Sequence, residues 1–346
     1  MKRKIFLTLC FIMIVASTVY GGDNRVGLTL IPPGTITNKV DLDIRAGIVN
    51  QGTEQQDFKI SIYLNNVEQQ SLLHYSTITL PIGASHSIKY VLNTTDKVGN
   101  NRIILRVEDG KQSYEVTKKF EVIESDIRST RLIDGAWAGI YHWSEIEGKH
   151  WNADIKQMTD AQWHEMVRSM HNIGMDVIVI QEVFRNQEYV GQHKMNVDNY
   201  PGKAFYPSEL YPDRVPIMAH DPLEAILSEA DKLGMLVMMG VGMFAWFDFS
   251  AESLEWHKQV AKELWNKYGS HPSFYSFYIS EECAGNLYNS EQTYEMQLVR
   301  KKEICDFFRE FKKYIKKFAP EKPIMLATNS MGVLDLSLIH ISEPTR

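Results

Sequence analysis

A short apolar run, a polar or aromatic end and an amphipathic helical stretch follow one another repeatedly between residues 131 and 335. The predicted strands are Leu132–Tyr141, Asp176–Phe184, Leu236–Phe244, Phe274–Glu282 and Pro323–Ser330. The predicted helices are Asp160–Gly174, Asp221–Gly234, Ala251–Tyr268 and Ser290–Phe318. Strands that alternate with helices form parallel βαβ units, and helices must cover the resulting sheet. The pattern therefore predicts a truncated α/β, TIM-type barrel of about five βα units at residues 131–335.

The chain ends in a segment that does not continue this pattern. Residues 336–346 resemble the translation of a sequencing adapter and are predicted to be non-native. A closed barrel of this type has eight strands, so strands six to eight are expected in a longer parent protein. Any catalytic group on those strands would then be missing from this chain. A natural C-terminal tail is the alternative interpretation.

The N-terminus has the pattern of a secretory signal peptide at residues 1–22. Three basic residues, Lys2, Arg3 and Lys4, precede the apolar stretch Ile5–Val19, and small residues follow it. This stretch is shorter than the roughly 20 residues of a transmembrane helix, so no stable membrane span is predicted. We expect an exported protein that is periplasmic, secreted or located at the cell surface.

Residues 25–123 have a different pattern, in which short alternating runs are separated by turn residues. Phe58–Leu64 alternates apolar and polar residues, and Asp109–Gly110 is a turn signal. Such alternation, with turns every 8–12 residues or so, predicts an antiparallel β-sandwich. The stretches Ile48–Thr53 and Leu80–Ala84 resemble the adhesion-type immunoglobulin-like modules of bacterial surface proteins. The resemblance implies an immunoglobulin-like spacer or docking platform, with glycan binding as the alternative role.

Charge and cysteine content exclude several classes of function. The formal net charge is −6, and no basic stripe is present, so nucleic acid is not a predicted partner. Of the 3 cysteines, Cys283 and Cys305 lie outside the signal peptide, and no disulfide framework is predicted. The Cys and His residues do not have zinc-ligand spacing, and neither a metal nor a cofactor is predicted. The sequence does not determine the oligomeric state.

The end of the fourth predicted strand carries two consecutive carboxylates, Glu281 and Glu282. Side chains alternate between the two faces of a strand. The apolar set, which suits packing beneath helices, is Tyr275, Phe277 and Ile279. The more polar set, which suits the barrel interior and mouth, is Ser276, Tyr278, Ser280 and Glu282. Regular alternation predicts that Glu282 points into the cavity and Glu281 outward, and a bulge or an early strand end would reverse the two.

A carboxylate at this position suits glycoside hydrolysis, which commonly uses one carboxyl group as acid and another as nucleophile or base. Enzymes with barrels of this type build their sites at the C-terminal ends of the strands. We expect Glu282 to act as the acid/base, and the adjacent charge of Glu281 favours its protonated form. A pair of exposed loop glutamates is the alternative. Cys283 is interpreted as a small apolar residue and not as a nucleophile.

Aromatic and polar residues near the predicted strand ends are candidate contacts to a carbohydrate. Aromatic faces suit the C–H face of a pyranose ring. The aromatic candidates are Trp143, Trp246 and Tyr278, and the hydrogen-bonding candidates are Gln181, Glu182, His142 and Asn329. Gly240 and Gly242 leave room for a ligand or for a bulky neighbour. The insertion Arg185–His220 forms either a cleft wall or a packed excursion without a ligand role.

Six segments of the α/β region together resemble a known family. They are Gln162–Met166, Asn172–Gln181, Phe205–Ser208, Asp221–Glu224, Ala230–Met235 and Phe277–Glu282. The family is one of secreted bacterial TIM barrels of unknown function that looks related to the retaining glycoside hydrolases, and the resemblance covers about Arg131–Ser330. It implies that the strand-four glutamate corresponds to Glu282 and that a nucleophile lies near the end of strand seven. In related glycosidases an asparagine usually precedes the acid/base glutamate, whereas Ser280 and Glu281 precede Glu282 here.

The sequence therefore predicts a fragment of a longer glycoside hydrolase that acts on an extracellular or periplasmic glycan. The fragment itself is expected to be inactive, because it lacks a second carboxylate. The alternative is a noncatalytic glycan-binding or surface-scaffold protein on a degenerate glycosidase barrel, which the missing asparagine favours. An Asp or Glu at the seventh strand end of the parent distinguishes the two. The sugar, the linkage and the stereochemical outcome are not determined by the sequence.

Overall fold

The computed structural model describes two units of the chain that pack against each other. The described residues are 24–128, 135–142, 147–185, 196–245, 247–281 and 293–326. Residues 24–128 form a β-sandwich, and the described residues from 135 onward form a mixed α/β unit. Each unit has a hydrophobic core of its own.

The β-sandwich has two sheets that share one core. Its strands are β1 (Asn24–Ile31), β2 (Ile36–Thr37), β3 (Leu42–Asn50), β4 (Gln56–Leu64), β5 (Leu72–Leu80), β6 (Ser85–Leu92), β7 (Gly99–Glu108) and β8 (Ser113–Ile123). One sheet has the order β1-β3-β6 and the other β2-β8-β7-β4-β5, and the long strands pair antiparallel. Inward side chains of both sheets, such as Ile44, Ile60 and Leu105, are fully buried. These are the antiparallel sheets that the alternation predicts, and the immunoglobulin likeness stays a prediction.

The α/β unit is built on five parallel strands. Its strands are β9 (Gly135–Ala138), β10 (Val177–Ile180), β11 (Phe184–Arg185), β12 (Lys203–Ala204), β13 (Leu236–Gly240), β14 (Phe274–Ile279) and β15 (Ile324–Leu326). Its helices are α1 (Asn152–Gln157), α2 (Asp160–Asn172), α3 (Pro222–Leu233), α4 (Ala251–Tyr268) and α5 (Tyr294–Ile315). The parallel sheet has the order β15-β14-β13-β10-β9, while β11 pairs antiparallel with β12. Strands and helices alternate as predicted, and closure into a barrel stays a prediction.

The long helices begin and end at residues whose conformations explain the predicted bounds. The side chain of Thr159 accepts a hydrogen bond from the backbone N–H of Gln162 at the start of α2, and Asp221 does the same for Glu224 in α3. Gly234 ends α3 in a left-handed conformation with φ of 71°, which residues with a side chain rarely adopt. These signals are local, so they can be identified from the sequence alone.

The two faces of the parallel sheet are covered differently. On one face, Ile178 and Phe277 pack into the core beneath the helices. The opposite face, which we call the inner face, carries a small apolar cluster of Val177, Val179 and Tyr278. The predicted alternation of β14 is thus confirmed for Phe277 and Tyr278, but it is wrong for Tyr275. A register shift between β13 and β14 displaces Tyr275, whose hydroxyl donates to the carbonyl oxygen of Leu30 in the sandwich at 2.9 Å.

The sandwich contacts the α/β unit at the N-terminal ends of the parallel strands. Arg25 of β1 and Glu321, which precedes β15, form a bidentate ion pair whose side chains are 7% and 1% exposed. The same guanidinium donates to the carbonyl oxygen of Phe318 at 3.1 Å. Ser85 donates from Oγ to the carbonyl oxygen of Lys316 at 2.7 Å. Side chains of the sandwich therefore satisfy carbonyl oxygens at the end of α5, where helical partners are lacking.

Candidate functional site

One serine side chain joins the C-terminal ends of β10, β13 and β14. Ser280, which follows β14, donates from Oγ to the carbonyl oxygen of Gln181 at 2.5 Å and accepts from the backbone N–H of Gly242 at 3.2 Å. Gln181 follows β10 and Gly242 lies just beyond β13, so this hydroxyl fixes three strand ends relative to one another. We call Gln181, Gly242, Phe244, Ser280 and Glu281 the tip cluster.

The carboxylate of Glu281 is fully buried within the tip cluster. Its Oε1 accepts a hydrogen bond at 3.0 Å from the backbone N–H of Phe244, which lies in the loop after β13. Glu281 is therefore not an exposed loop residue, and it holds the loop after β13 in place. Glu282 follows it in the chain and lies outside the described residues.

Gly240 and Gly242 make room for neighbouring parts of the chain. A Cβ at Gly240 would lie 2.3 Å from the carbonyl oxygen of Ile180 and 2.4 Å from that of Gln181. Gly242 has a φ of 118°, and a Cβ there would lie 3.0 Å from Phe184. Of the two reasons predicted for these glycines, a close neighbour is the one observed. The approach of the two loops is what brings Gln181 within reach of Ser280.

The loop after β13 contains a strained residue. Phe247 has a φ of 60°, an unfavourable conformation for a bulky side chain. The guanidinium of Arg300 in α5 donates to the carbonyl oxygen of Phe247 and lies 5.2 Å from the ring centroid of Phe249. Strained backbone persists where the surrounding structure holds it, and it clusters at functional sites. The strain therefore marks this loop, together with the tip cluster, as the candidate site.

The insertion after β10 packs onto α4 in its described part, residues 196–220. Glu263 of α4 accepts hydrogen bonds from the hydroxyl of Tyr206, from Ser208 Oγ at 2.8 Å and from the backbone N–H of Leu210 at 3.2 Å. Burial and the charge of Glu263 raise the pKa of Tyr206 well above its ordinary value, so its hydroxyl stays a donor. This part of the insertion is a packed excursion, and a role as a cleft wall stays a prediction.

The candidates predicted from the sequence differ in exposure. Gln181 is exposed, whereas Glu182 and Tyr278 are 5% and 6% exposed. His142 is half-buried, and its backbone N–H donates to Asn152 Oδ1 at 3.0 Å. The candidates outside the described residues are Glu282, Trp143, Trp246 and Asn329. The structure therefore brings Gln181 and Glu281 together in the tip cluster and fixes the backbone of His142 beyond β9.

Two buried polar residues have roles that were not predicted: Ser280 joins the strand ends of the tip cluster, and Glu263 holds the insertion on α4. The sequence places Ser280 toward the barrel interior, but it does not indicate which backbone groups its hydroxyl binds. Glu263 carries a detectable signal, because it lies on the apolar face of α4, between Val260 and Leu264 at helical spacing. A carboxylate on such a face needs a buried partner. The sequence thus predicts that polar groups from another part of the chain bind Glu263, and in the structure the insertion provides them.

The chemical groups of the tip cluster are a carboxylate, a hydroxyl, an amide side chain and backbone amides. The carboxylate of Glu281 and the hydroxyl of Ser280 are buried and bonded to backbone groups, so within the tip cluster the exposed amide side chain of Gln181 is the group that can hydrogen-bond to a ligand. Across the described ranges, no group of three or more His, Cys, Asp and Glu side chains is arranged to hold a metal ion. In the same ranges, each helix is too short or too polar to span a bilayer.

Solved structures that align with most of this chain include β-glucuronidases at low identity. Bacteroides uniformis β-glucuronidase 2, covalently bound to cyclophellitol-6-carboxylate aziridine, is 11% identical with a TM-score of 0.36, and the match covers 88% of this chain and 33% of that one. For Parabacteroides merdae β-glucuronidase the values are 12%, 0.34, 87% and 33%. For a β-glucuronidase from glycoside hydrolase family 2 they are 12%, 0.36, 88% and 27%. The chain thus spans about a third of the length of these proteins or less. Their TM-scores are too low to assign a shared fold.

A family model gives a clearer result than the solved structures do. It matches residues 133–340, which is more than half of the chain, whereas no curated protein matches. The matched range ends within residues 336–346, and the adapter origin of that segment stays a prediction. The chain therefore belongs to the family described as Domain of unknown function (DUF4434).

Proposed function

We propose that this chain carries part of the active site of a glycosidase-like enzyme that acts on an extracellular or periplasmic glycan, with Glu282 as the acid/base. In this proposal the parallel sheet is the first part of a TIM-type barrel, and residues 25–123 are an immunoglobulin-like spacer. Residues 1–22 are a signal peptide, and the protein is exported. A second carboxylate, on a later strand of a longer parent, completes the site.

The observation that carries the proposal is the tip cluster. Ser280 and Glu281 tie the end of β14 to the backbone after β10 and β13. A catalytic carboxyl group must be held close to its working geometry by supporting residues that are themselves fixed. Glu282 follows Glu281 directly in the chain, so a fixed segment leads into the proposed acid/base. The C-terminal ends of parallel strands are also where enzymes on such barrels carry their catalytic groups.

The proposal gives Glu281 two roles. Its carboxylate positions the loop after β13, and its negative charge favours the protonated form of Glu282, which an acid that protonates a leaving group requires. Gln181, exposed beside Ser280, hydrogen-bonds a substrate hydroxyl. The remaining contacts to the carbohydrate are assigned to Trp143, Trp246, Tyr278, Glu182, His142 and Asn329.

The test begins with a long read of the source DNA across the codon for Asp335 and expression of the longer protein that it encodes. We expect this parent to cleave a member of a panel of aryl glycosides. Glu282→Gln should lower kcat/KM by a factor of about 10²–10⁴ while glycan binding persists, because a general acid contributes that much to the rate. Glu295→Gln, an exposed carboxylate of α5, is the matched control and should leave kcat/KM unchanged. Full activity of Glu282→Gln contradicts the acid/base assignment.

A noncatalytic glycan-binding protein is the second candidate, and one observation favours it. Related glycosidases usually carry an asparagine directly before the acid/base, whereas here that position is Glu281, whose buried carboxylate is bonded to the N–H of Phe244. A parent without Asp or Glu at its seventh strand end, which binds an oligosaccharide and does not cleave it, would decide for this candidate. Gln181→Ala should then weaken binding, and Glu282→Gln should not.

A further inference from the structure

A cavity lies between the sandwich and the α/β unit, at the N-terminal ends of β10 and β13. It is at the opposite end of these strands from the tip cluster. Its volume is about 490 Å³, and small-molecule sites commonly have volumes of about 300–1,000 Å³. Thr29 and Leu30 of β1 line it from one side, and Val177 and Leu236 from the other. The cavity therefore exists only because the two units are packed together.

Three lysines are among the residues that line this interdomain cavity. Lys118 and Lys119 belong to β8, and Lys322 precedes β15. Lys322 donates from Nζ to the carbonyl oxygen of Phe274 at 2.6 Å, which is an uncharged acceptor. In the part of the chain that the structure describes, none of the three lysines forms an ion pair.

The nearby carboxylates do not balance these lysines. Glu321 lies next to Lys322 in the chain, but both of its oxygens are engaged by the guanidinium of Arg25. Asp176 is the acidic residue in the lining. Lys119 is exposed and alternates with Lys118 along β8, so Lys118 and Lys322 are the lysines whose side chains can reach the cavity, with one aspartate, Asp176, in the lining.

The electrostatics of Lys118 and Lys322 favour an anion beside them. Burial lowers the pKa of Lys322 to about 7, although the charge of Glu321 opposes the shift, and the charges of Lys118 and Arg25 lower it further. Burial also lowers the pKa of Lys118, against the opposing charges of Glu321 and Asp231. An anion bound between the two ammonium groups would favour their protonated forms. Its binding would therefore be coupled to proton uptake.

The remainder of the lining is largely apolar. Leu30, Val177 and Leu236 contribute to it, as do Pro33 and Pro272. We propose that this cavity binds a small organic acid, with its carboxylate between Lys118 and Lys322 and its apolar body against the leucine, valine and proline side chains. A single negative charge matches the lining, because Asp176 already offsets part of the positive charge.

Isothermal titration calorimetry of the full chain with hexanoate, near neutral pH, tests the proposal. Hexan-1-ol and hexylamine share the body of hexanoate and differ only in the head group. We expect hexanoate to bind at least about tenfold more tightly than hexan-1-ol, and hexylamine not to bind. Equal affinity for the acid and the alcohol overturns the proposal. Tighter binding of hexyl phosphate than of hexanoate overturns the choice of a carboxylate.

Substitutions connect the binding to the cavity. Lys118→Met with Lys322→Met removes the two charges and keeps apolar volume, so it should remove the preference for hexanoate over hexan-1-ol. Lys59→Met on β4 is exposed and outside the cavity, and it should bind hexanoate as the unchanged protein does. Unchanged affinity of the double variant contradicts the proposal.

A second measurement on the unchanged protein keeps the proposal testable if the double variant does not fold. Titration with hexanoate at about pH 8, in two buffers that differ in ionisation enthalpy, gives the number of protons taken up. Uptake is expected there, and it should decline as the pH falls below about 7, because Lys322 is then already protonated. Binding without proton uptake at the higher pH overturns the role of Lys322.

Discussion

The two ends of the parallel strands use polar side chains for different purposes. At the sandwich end, Arg25 and Glu321 join two units through a buried ion pair, and serine hydroxyls of the sandwich bind carbonyl oxygens beyond α5. At the other end, Ser280 and Glu281 bind backbone groups of adjacent loops within one unit. The first arrangement stabilises the contact between units, and the second sets the geometry of loops. Stability and function are often divided in this way between the two ends of α/β barrel strands.

Removal of the buried ion pair should have the largest effect. Glu321→Ala leaves the guanidinium of Arg25 buried without its carboxylate, and we expect it to lower the free energy of unfolding by about 3–5 kcal/mol. Urea unfolding measures this change. Glu310→Ala is the control, because its pair with Lys313 spans 3.9 Å at the surface, and its effect should be much smaller. Similar losses in the two variants would show that the interface does not depend on the ion pair.

Acid should destabilise the α/β unit through His257 of α4, which lies next to the loop after β13. Burial lowers the pKa of His257 to about 4, although Ser253 and Asp248 oppose the shift. In the unfolded chain His257 binds a proton near the ordinary pKa of about 6.5. The contribution of the neutral imidazole to the unfolding free energy is therefore complete above that pH and is lost as the pH falls toward 4. The expected loss is about 3 kcal/mol. His257→Gln should show a correspondingly flatter dependence of the unfolding free energy on pH, and parallel curves for the two proteins would contradict the prediction.

Close packing at the sandwich end should make Gly47 sensitive to a methyl group. A Cβ at Gly47 would lie 2.6 Å from Glu321 Oε2 and 2.8 Å from the backbone nitrogen of Glu321, so a side-chain movement alone cannot relieve the overlap. Gly47→Ala should cost about 1–3 kcal/mol of unfolding free energy, measured by urea unfolding. Gly139→Ala is the control, since no heavy atom lies within 4 Å of its added Cβ, and its stability should be close to that of the unchanged protein.

Loss of the bridging hydroxyl at the tip cluster should have the smallest global effect and a clear local one. Ser280→Ala removes hydrogen bonds to Gln181 and Gly242 and should lower the free energy of unfolding by about 1 kcal/mol. Hydrogen exchange of the Gly242 amide should become faster. Ser276→Ala is the control on the same strand, because the buried Oγ of Ser276 has no hydrogen-bond partner among the described residues. Equally slow exchange of the Gly242 amide in both variants would contradict a role of Ser280 in positioning the loops.

The order of strands and helices followed from local signals, but β10 and β13 end at Ile180 and Gly240, four residues before their predicted ends. The caps at Thr159 and Asp221 and the terminating Gly234 set helix bounds that agree with the predicted ones. Alternation along β14 placed Tyr278 on the inner face, as observed. Tyr275 departs from it because the register shift arises from pairing with β13, which the sequence of β14 does not contain.

Part of the tip cluster was named from the sequence, but its contacts were not predicted. Polar strand ends identified Gln181 and Glu281, because parallel strands bring their C-terminal ends to one edge of a sheet. The bonds of Ser280 and Glu281 could not be predicted, since they depend on two loops that meet at Gly240 and Gly242. The catalytic assignment of Glu282 stays a proposal.

The sequence by itself determined the alternation of strands and helices, the two units and the edge of the sheet that carries carboxylates. These properties depend on neighbours within a few positions of the chain, which alternation and capping describe. Only the tertiary structure decided that Arg25 meets Glu321, 296 positions away, and that a cavity with three lysines lies between the units. Buried polar groups need partners wherever the fold brings them together, and sequence distance does not restrict where those partners lie.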